Sequence, residues 1–183
     1  MWCVAAYFKK QNAEHKQSIW TMICPFSSRA KINLLQMIFE LQPVDKDEMS
    51  NVFAIYRTYL FSYVDQAFGW NDGFQASLFK NSYQDATFSW INICGKNCGL
   101  LCVKESDFEF HVHLLIVFHE FQSKGIGKTV MNRIHEAARD SKKLVRLSSF
   151  KVNQNAVRFY ESMGYKKNIE DENFYSLTYS PKV

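Results

Sequence analysis

FQSKGIGKT, residues 121–129, follows the apolar run LLIVF at 114–118 and leads into VMNRIHEAARD, whose apolar residues recur at helical spacing. A strand that turns through two glycines into a helix aims several unpaired main-chain N–H groups at one point. The helix dipole adds partial positive charge there, so the stretch reads as an anion site by geometry alone. Gly125 and Gly127 let the chain approach a phosphate without Cβ clashes. A solvated basic turn carrying Lys124 and Lys128 is the plain alternative.

Two phosphate loops are excluded by single residues. The triplet Gly127, Lys128, Thr129 imitates the end of a nucleoside-triphosphate loop, but Gln122 stands where that loop needs its first glycine. A dinucleotide fingerprint fails because Val130 occupies the place of its third glycine. What remains is Gln122-x-x-Gly125-x-Gly127.

With 183 residues, 47% of them hydrophobic, the chain is expected to bury one core without staples. Its formal charge of +4 is accounted for by residues 1–36, where Lys9, Lys10, Lys16, Arg29 and Lys31 face Glu14 alone. The remainder is neutral, which argues against a nucleic-acid binder with a broad basic face. Residues 1–36 are read as an N-terminal extension of unknown role, either an appendage or translation upstream of an internal start at Met37, with the domain at 37–183. The apolar runs are far shorter than the roughly 20 residues that span a bilayer, so no membrane partner is expected. The opening MWCVAAYFKK has the reverse order of a signal peptide. Five cysteines, an odd number, favour a reducing compartment, and a cytoplasmic location is expected. Cys94, Cys98 and Cys102 are spaced by four, but Gly95 and Gly99 interrupt them, and no metal site is expected there.

The order of elements is read as β-α-α-β-β-β-α-β-α-β-β. A first strand spans 36–43, ended by Pro43. A long helix over 49–68 is capped by Asp45 or Asp47, and a short one covers 74–82. Strands follow at 86–94, 98–106 and 108–118, the first two joined by a Gly95-Lys96-Asn97 turn. The helix after the glycines buries Val130, Met131, Ile134, Ala137 and Ala138. A strand at 144–150, a helix at 156–163 closed by Gly164, and strands at 165–170 and 173–180 complete a mixed α/β domain.

At this point the chain resembles the GNAT superfamily of acetyl-CoA-dependent N-acetyltransferases. HEFQSKGIGKTVMNRI, residues 119–134, looks like that family's acyl-donor motif, and KVNQNAVRFYESMGY, residues 151–165, is similar to its second signature. FGWNDGFQASLF, residues 68–79, also resembles a Gly-Trp-Asp-Glu-x-Phe-Gln segment of a group of small bacterial GNAT proteins. There are departures: His119 replaces a proline, Ser123 replaces a glycine, and residues 1–36 match nothing. The resemblance implies an α/β (α+β) GNAT acyltransferase fold, a mostly antiparallel mixed sheet flanked by helices.

It also implies roles. Gln122, Ser123, Lys124, Gly125, Ile126, Gly127 and Lys128 would hold the coenzyme's pyrophosphate. Its pantetheine arm would pair with the main chain of Leu115, Ile116 and Val117, whose side chains are core. Asn153 matches an asparagine that contacts the coenzyme, or is a plain loop cap. Tyr160 matches the residue that protonates the departing thiolate, a feasible transfer between groups of pKa near 8.5 and 10, or is a tyrosine packed under its helix.

The base that must deprotonate an alkylammonium is less defined. His111 and His113 lie two apart on the donor strand, on one face unless a bulge intervenes. His111 aligns with a catalytic glutamate of some members, whereas another base position falls on Ser148, which cannot serve at neutral pH. Relay through water is the rival. His111, His113 and His119 are close in sequence, but HEFQS lacks the second histidine of H-E-x-x-H, so no metal is expected. The acceptor pocket is expected between the first two helices and the last hairpin, near Tyr63, Asp65, Trp70, Asp72, Phe74, Asp171 and Glu172. Aromatics with carboxylates suit a cationic amine.

The expected activity is acetyl transfer from acetyl-CoA to a primary amine of a small molecule or peptide, by direct attack in a ternary complex, in a monomer or homodimer. A coenzyme-binding or sensing module with weak chemistry is the alternative, motivated by the missing glutamate at Ser148.

Overall fold

The computed structural model describes residues 39–83 and 85–182. Expectations that fall on residues 1–38, including the start of the first strand, Cys3 and Cys24, lie outside the described residues. The elements run β1 (Phe39–Pro43), α1 (Met49–Phe68), α2 (Asp72–Ser82), β2 (Thr87–Ile93), β3 (Lys96–Glu105), β4 (Glu109–Val117), α3 (Ile126–Ser141), β5 (Leu144–Phe150), α4 (Gln154–Ser162), β6 (Lys166–Ile169) and β7 (Phe174–Tyr179). Short 3-10 turns at Lys46–Glu48 and His119–Phe121 precede α1 and follow β4. This is the order read from the sequence.

Seven strands form one sheet in the order β1-β2-β3-β4-β5-β7-β6. Every neighbouring pair is antiparallel except β4 and β5, which α3 joins as a parallel crossover. Both faces are covered. On one, Val130, Met131, Ile134, Ala137 and Ala138 of α3 pack with Tyr160 of α4 over Leu101, Val103, Val145, Leu147 and Leu177. On the other, Val52 and Tyr56 of α1 and Phe79 of α2 pack on Phe88, Trp90, Leu100, Cys102, Leu114 and Ile116. Each large apolar side chain buried in this way contributes about 1.5–3 kcal/mol.

Local boundaries differ from the sequence reading where side-chain bonds intervene. Asp45 caps the 3-10 turn Lys46–Glu48 that runs directly into α1, and Glu48 stands at the start of α1 itself. Glu48 completes the capping box by accepting from the Asp45 N–H at 3.1 Å and also accepts from the Trp90 indole at 3.2 Å, so the helix start is tied to β2. α2 begins two residues earlier than expected because Asn71 Oδ1 accepts from the Phe74 N–H at 2.9 Å. The β2–β3 turn is Cys94-Gly95, both at positive φ (53° and 77°), and Ile93 pairs with Lys96. That is the two-residue hairpin favoured by strand twist. The strand β3 therefore starts before Cys98.

Strand β4 carries a bulge. Cys102 pairs with Leu114 and Val103 with Val112, leaving His113 as the extra residue. The alternation shifts there. Phe110 and Val112 enter the core under α3, whereas Leu114 and Ile116 enter the core under α1. Opposite the far end of β4, Gly99 lies so close that a Cβ on it would stand 2.2 Å from the Ile116 carbonyl oxygen. Gly99→Ala is expected to lower the unfolding free energy by about 1–3 kcal/mol in a urea titration, because backbone, not a flexible side-chain tip, must move.

Candidate active site

The anion corner is formed by a left-handed turn. Ser123 has φ 58° and Gly125, at the N-cap of α3, has φ 82°. None of the six main-chain N–H groups from residue 123 to residue 128 has a partner among the described residues, and no atom lies within 4 Å of where a Cβ on Gly125 would be. These donors converge with the positive end of a 16-residue helix. Gln122 is different. Its N–H donates to the His119 carbonyl at 3.3 Å and its side-chain amide donates to the Val117 carbonyl at 2.9 Å, so it braces the turn from behind. Lys124 also folds back, donating to the Glu120 carbonyl at 2.6 Å and lying over the Phe121 ring.

The second element is an open strand edge. β4 and β5 pair over three residues, Glu109 with Leu144, Phe110 with Val145 and His111 with Arg146, and pair no further. Beyond His111, β4 is bonded to β3 alone, leaving about 20 Å of edge on the β5 side up to Val117. Leu115, Ile116 and Val117 lie on this stretch, with Ile116 buried toward α1 and Leu115 and Val117 packed toward α3. The splay opens a cleft of about 330 Å³ lined by His111, His113, Ser148, Phe150, Asn153 and Tyr160, among others. Asn153 is indeed a cap, its Oδ1 accepting from the Ala156 N–H at 3.2 Å, and it faces the cleft as well. Tyr160 is 8% exposed and its hydroxyl has no partner among the described residues. Burial pushes its pKa well above the usual phenol value, so it stays a proton donor.

His111 and His113 share a face, since the bulge comes at His113 and leaves their rings stacked 4.5 Å apart. Their environments differ. His111 sits between the Glu109 carboxylate, 3.7 Å from Nδ1, and the strand partner Arg146, which Glu109 also binds at 3.3 Å. Burial lowers its pKa, opposed by the charge of Glu109. His113 packs edge-on against Tyr83, its Nε2 is buried without a partner, and burial together with His111 lowers its pKa to about 4. Both imidazoles are thus neutral at pH 7.

A cradle of free N–H groups thus follows an open strand edge, and the near part of that edge lines a cleft with a neutral histidine. Residues 84–167 match the family model described as Acetyltransferase (GNAT) domain. That segment is similar to a GNAT acetyltransferase domain. No curated protein matches its sequence. Solved structures share the fold: Ard1 from Thermoplasma volcanium, at 18% identity and TM-score 0.58, covers 80% of this chain and 99% of its own. PaiA N-acetyltransferase from Thermoplasma acidophilum, solved with coenzyme A, gives 14% identity, TM-score 0.61 and coverage of 78% and 98%. Arabidopsis thaliana Naa50 with the bisubstrate analogue CoA-Ac-MVNAL gives 16%, 0.55, and 78% and 98%. The matched model describes an acetyltransferase, and the PaiA and Naa50 structures hold coenzyme A or a CoA-bearing bisubstrate analogue.

The departures from the GNAT pattern have local reasons. At 119 a proline could not donate, whereas the His119 N–H donates to the Tyr59 hydroxyl at 3.1 Å and its ring stacks on Tyr59 at 4.7 Å. Ser123 takes the left-handed conformation that a glycine would adopt without strain, at a cost of about 1–2 kcal/mol. Among the described residues no group of three His, Cys, Asp or Glu could hold a metal ion.

At the acceptor end, several residues singled out in the sequence have structural employment. Asp65 accepts from the Trp70 N–H, Asp72 binds Arg57 and the Trp70 indole, and Asp171 caps the hairpin through the Asn173 and Phe174 N–H groups. Phe74 is exposed, and Tyr63 stacks on Phe150 at 6.0 Å. The residue that the sequence did not single out is Glu170, whose carboxylate accepts from Ser148 Oγ at 2.6 Å. Its signal was available only as register: Ser148 pairs with Ser176, and Ile169 with Tyr175, which brings the start of the hairpin loop over Ser148.

The His113 environment gives a testable pH dependence. Its folded pKa lies below the unfolded value of about 6.5, so the unfolded chain binds more protons between about 4 and 6.5. Stability is expected to rise with pH across that window in chemical denaturation, and His113→Phe is expected to flatten the slope. His135, also lowered to about 4 by burial, contributes the residual slope.

Proposed function

We propose that this domain transfers the acetyl group of acetyl-CoA to a primary amine of a small molecule or peptide by direct attack while both substrates are bound. The observation that carries this reading is an unpaired strand edge whose near part, with Tyr160 and His111, lines one cleft and which runs on to a turn with six unpartnered N–H groups. In this reading the residue 123–128 turn holds the pyrophosphate, with Lys128 and the Asn153 amide beside it. The arm bearing the thioester lies along Leu115, Ile116 and Val117 as an added strand.

The proton steps then follow from the side chains. The acceptor ammonium has a pKa near 10 and must lose a proton to expose its lone pair. His111, neutral at pH 7, takes it, and Glu109 stabilises the imidazolium that forms. Nitrogen attacks the thioester carbonyl, a main-chain N–H of the open β4 edge donates to the oxyanion, the attacking nitrogen releases its second proton to solvent, and the C–S bond breaks. Tyr160 gives its phenolic proton to the departing sulfur and recovers one through solvent from His111. His113, too weakly basic for the same task, supports the His111 ring by stacking. No cysteine among the described residues lines the cleft, which supports direct attack; Cys98 and Cys102 are buried with raised pKa.

Tyr160→Phe is expected to lower kcat about a hundredfold or more while the acetyl-CoA Kd, read by calorimetry, stays within about twofold. His111→Gln is expected to lower kcat/KM by about 10²-fold and to remove the acid limb of its pH profile. Binding of acetyl-CoA with no transfer to any member of an amine panel would establish the alternative, a coenzyme-binding module. Absence of acetyl-CoA binding would refute both.

A further inference from the structure

Glu170, an exposed residue, reaches the wall of the cleft with one carboxylate oxygen bound. Oε2 accepts from Ser148 Oγ at 2.6 Å, Ser148 lines the cleft, and Oε1 has no partner among the described residues. Of the neighbouring carboxylates, Glu109 is bound to Arg146 and His111 and Asp171 to the hairpin N–H groups, whereas Glu172 in the same loop has no partner among the described residues and no bond to the cleft wall. The Glu170 N–H donates to the Phe174 carbonyl, and Phe150 and Phe174 line the cleft together with the Ser148 that holds its carboxylate. Phe150 and Phe174 have ring centroids 4.4 Å apart, Phe68 stacks on Phe174 at 6.0 Å, and Phe68 is 59% exposed. A carboxylate fixed by a serine and framed by aromatic faces is a site for an organic cation, because ring quadrupole and charge act together.

From this arrangement we infer that Glu170, held by Ser148, is the residue that binds the acceptor's ammonium group, and that the acceptor carries that group on an apolar or aromatic arm. The inference rests on the amine-acetylation reading above and adds the acceptor class. Glu170 orients the ammonium by charge and one or two N–H···O bonds; the proton itself leaves to His111.

The test uses the full chain with phenethylamine, cationic at pH 7, and O-benzylhydroxylamine, a nucleophile of similar shape that is neutral there. Glu170→Gln is expected to raise KM for phenethylamine about tenfold or more, with kcat, the acetyl-CoA Kd and KM for O-benzylhydroxylamine within about twofold. Ser148→Ala is expected to shift KM in the same direction by less, and Glu170→Asp to recover part of the loss. Equal KM shifts for both acceptors, or a fall in kcat with unchanged KM, would overturn the assignment. Calorimetric titration of phenethylamine into the CoA-saturated protein separates the two levels. If the parent binds it and Glu170→Gln does not, the ammonium site stands even without turnover. If the parent acetylates other amines but neither binds nor acetylates phenethylamine, the acceptor class falls while the transfer reading remains.

Discussion

Divergence of β4 from β5 is the constraint on which the rest of the molecule depends. A parallel pair satisfies main-chain groups on both strands as long as the strands stay adjacent, and here adjacency ends at His111 and Arg146. The continuing β4 edge must then find other partners or remain exposed to whatever enters the cleft. At its far end the protein supplies one internally: the Gln122 side chain covers the Val117 carbonyl. Between these two points the edge stays open. The splay also positions the termini of two helices, because α3 leaves from the top of β4 and α4 from the top of β5. The anion corner, the capped start of α4 and the tyrosine on its inner face thus converge on one gap.

Electrostatics along that gap are graded. At one end stand partial positive charges of main-chain donors; at the other stand Glu109 and Glu170, each fixed by a neighbour on β5. The histidines lie between and are kept uncharged by burial, His113 more strongly than His111. A phosphate and a cationic amine would therefore be drawn to opposite ends of a cleft whose middle holds no formal charge at neutral pH.

Much of this was legible in the sequence because it is local. The helical spacing of Val130, Met131, Ile134, Ala137 and Ala138 gave the buried face of α3, and the two glycines gave the turn ahead of it. The free N–H groups from residue 123 to residue 128 follow from that turn. What the sequence could not place depends on register and on side chains that reach between elements. Asp45 and Asp47 are both good capping residues; the capping box selects Asp45, and the bond from the Trp90 indole 42 residues away to Glu48 is what the sequence does not show. Asp65, Asp72 and Asp171 had the composition of an acceptor pocket but are engaged by nearby N–H groups and Arg57. Glu170 was invisible because its partner, Ser148, lies 22 residues upstream and reads alone as the loss of a base.

The bulge at His113 has a consequence for how this strand can vary in length. Because Val112 and Leu114 face opposite layers on either side of the extra residue, deleting His113 would restore simple alternation and leave every downstream side chain in its layer. Straightening the strand with all its residues kept would instead make Leu115 and Val117 exchange layers with Leu114 and Ile116. A strand of this kind can therefore lose the irregularity only together with one residue, or else must shift its entire apolar pattern.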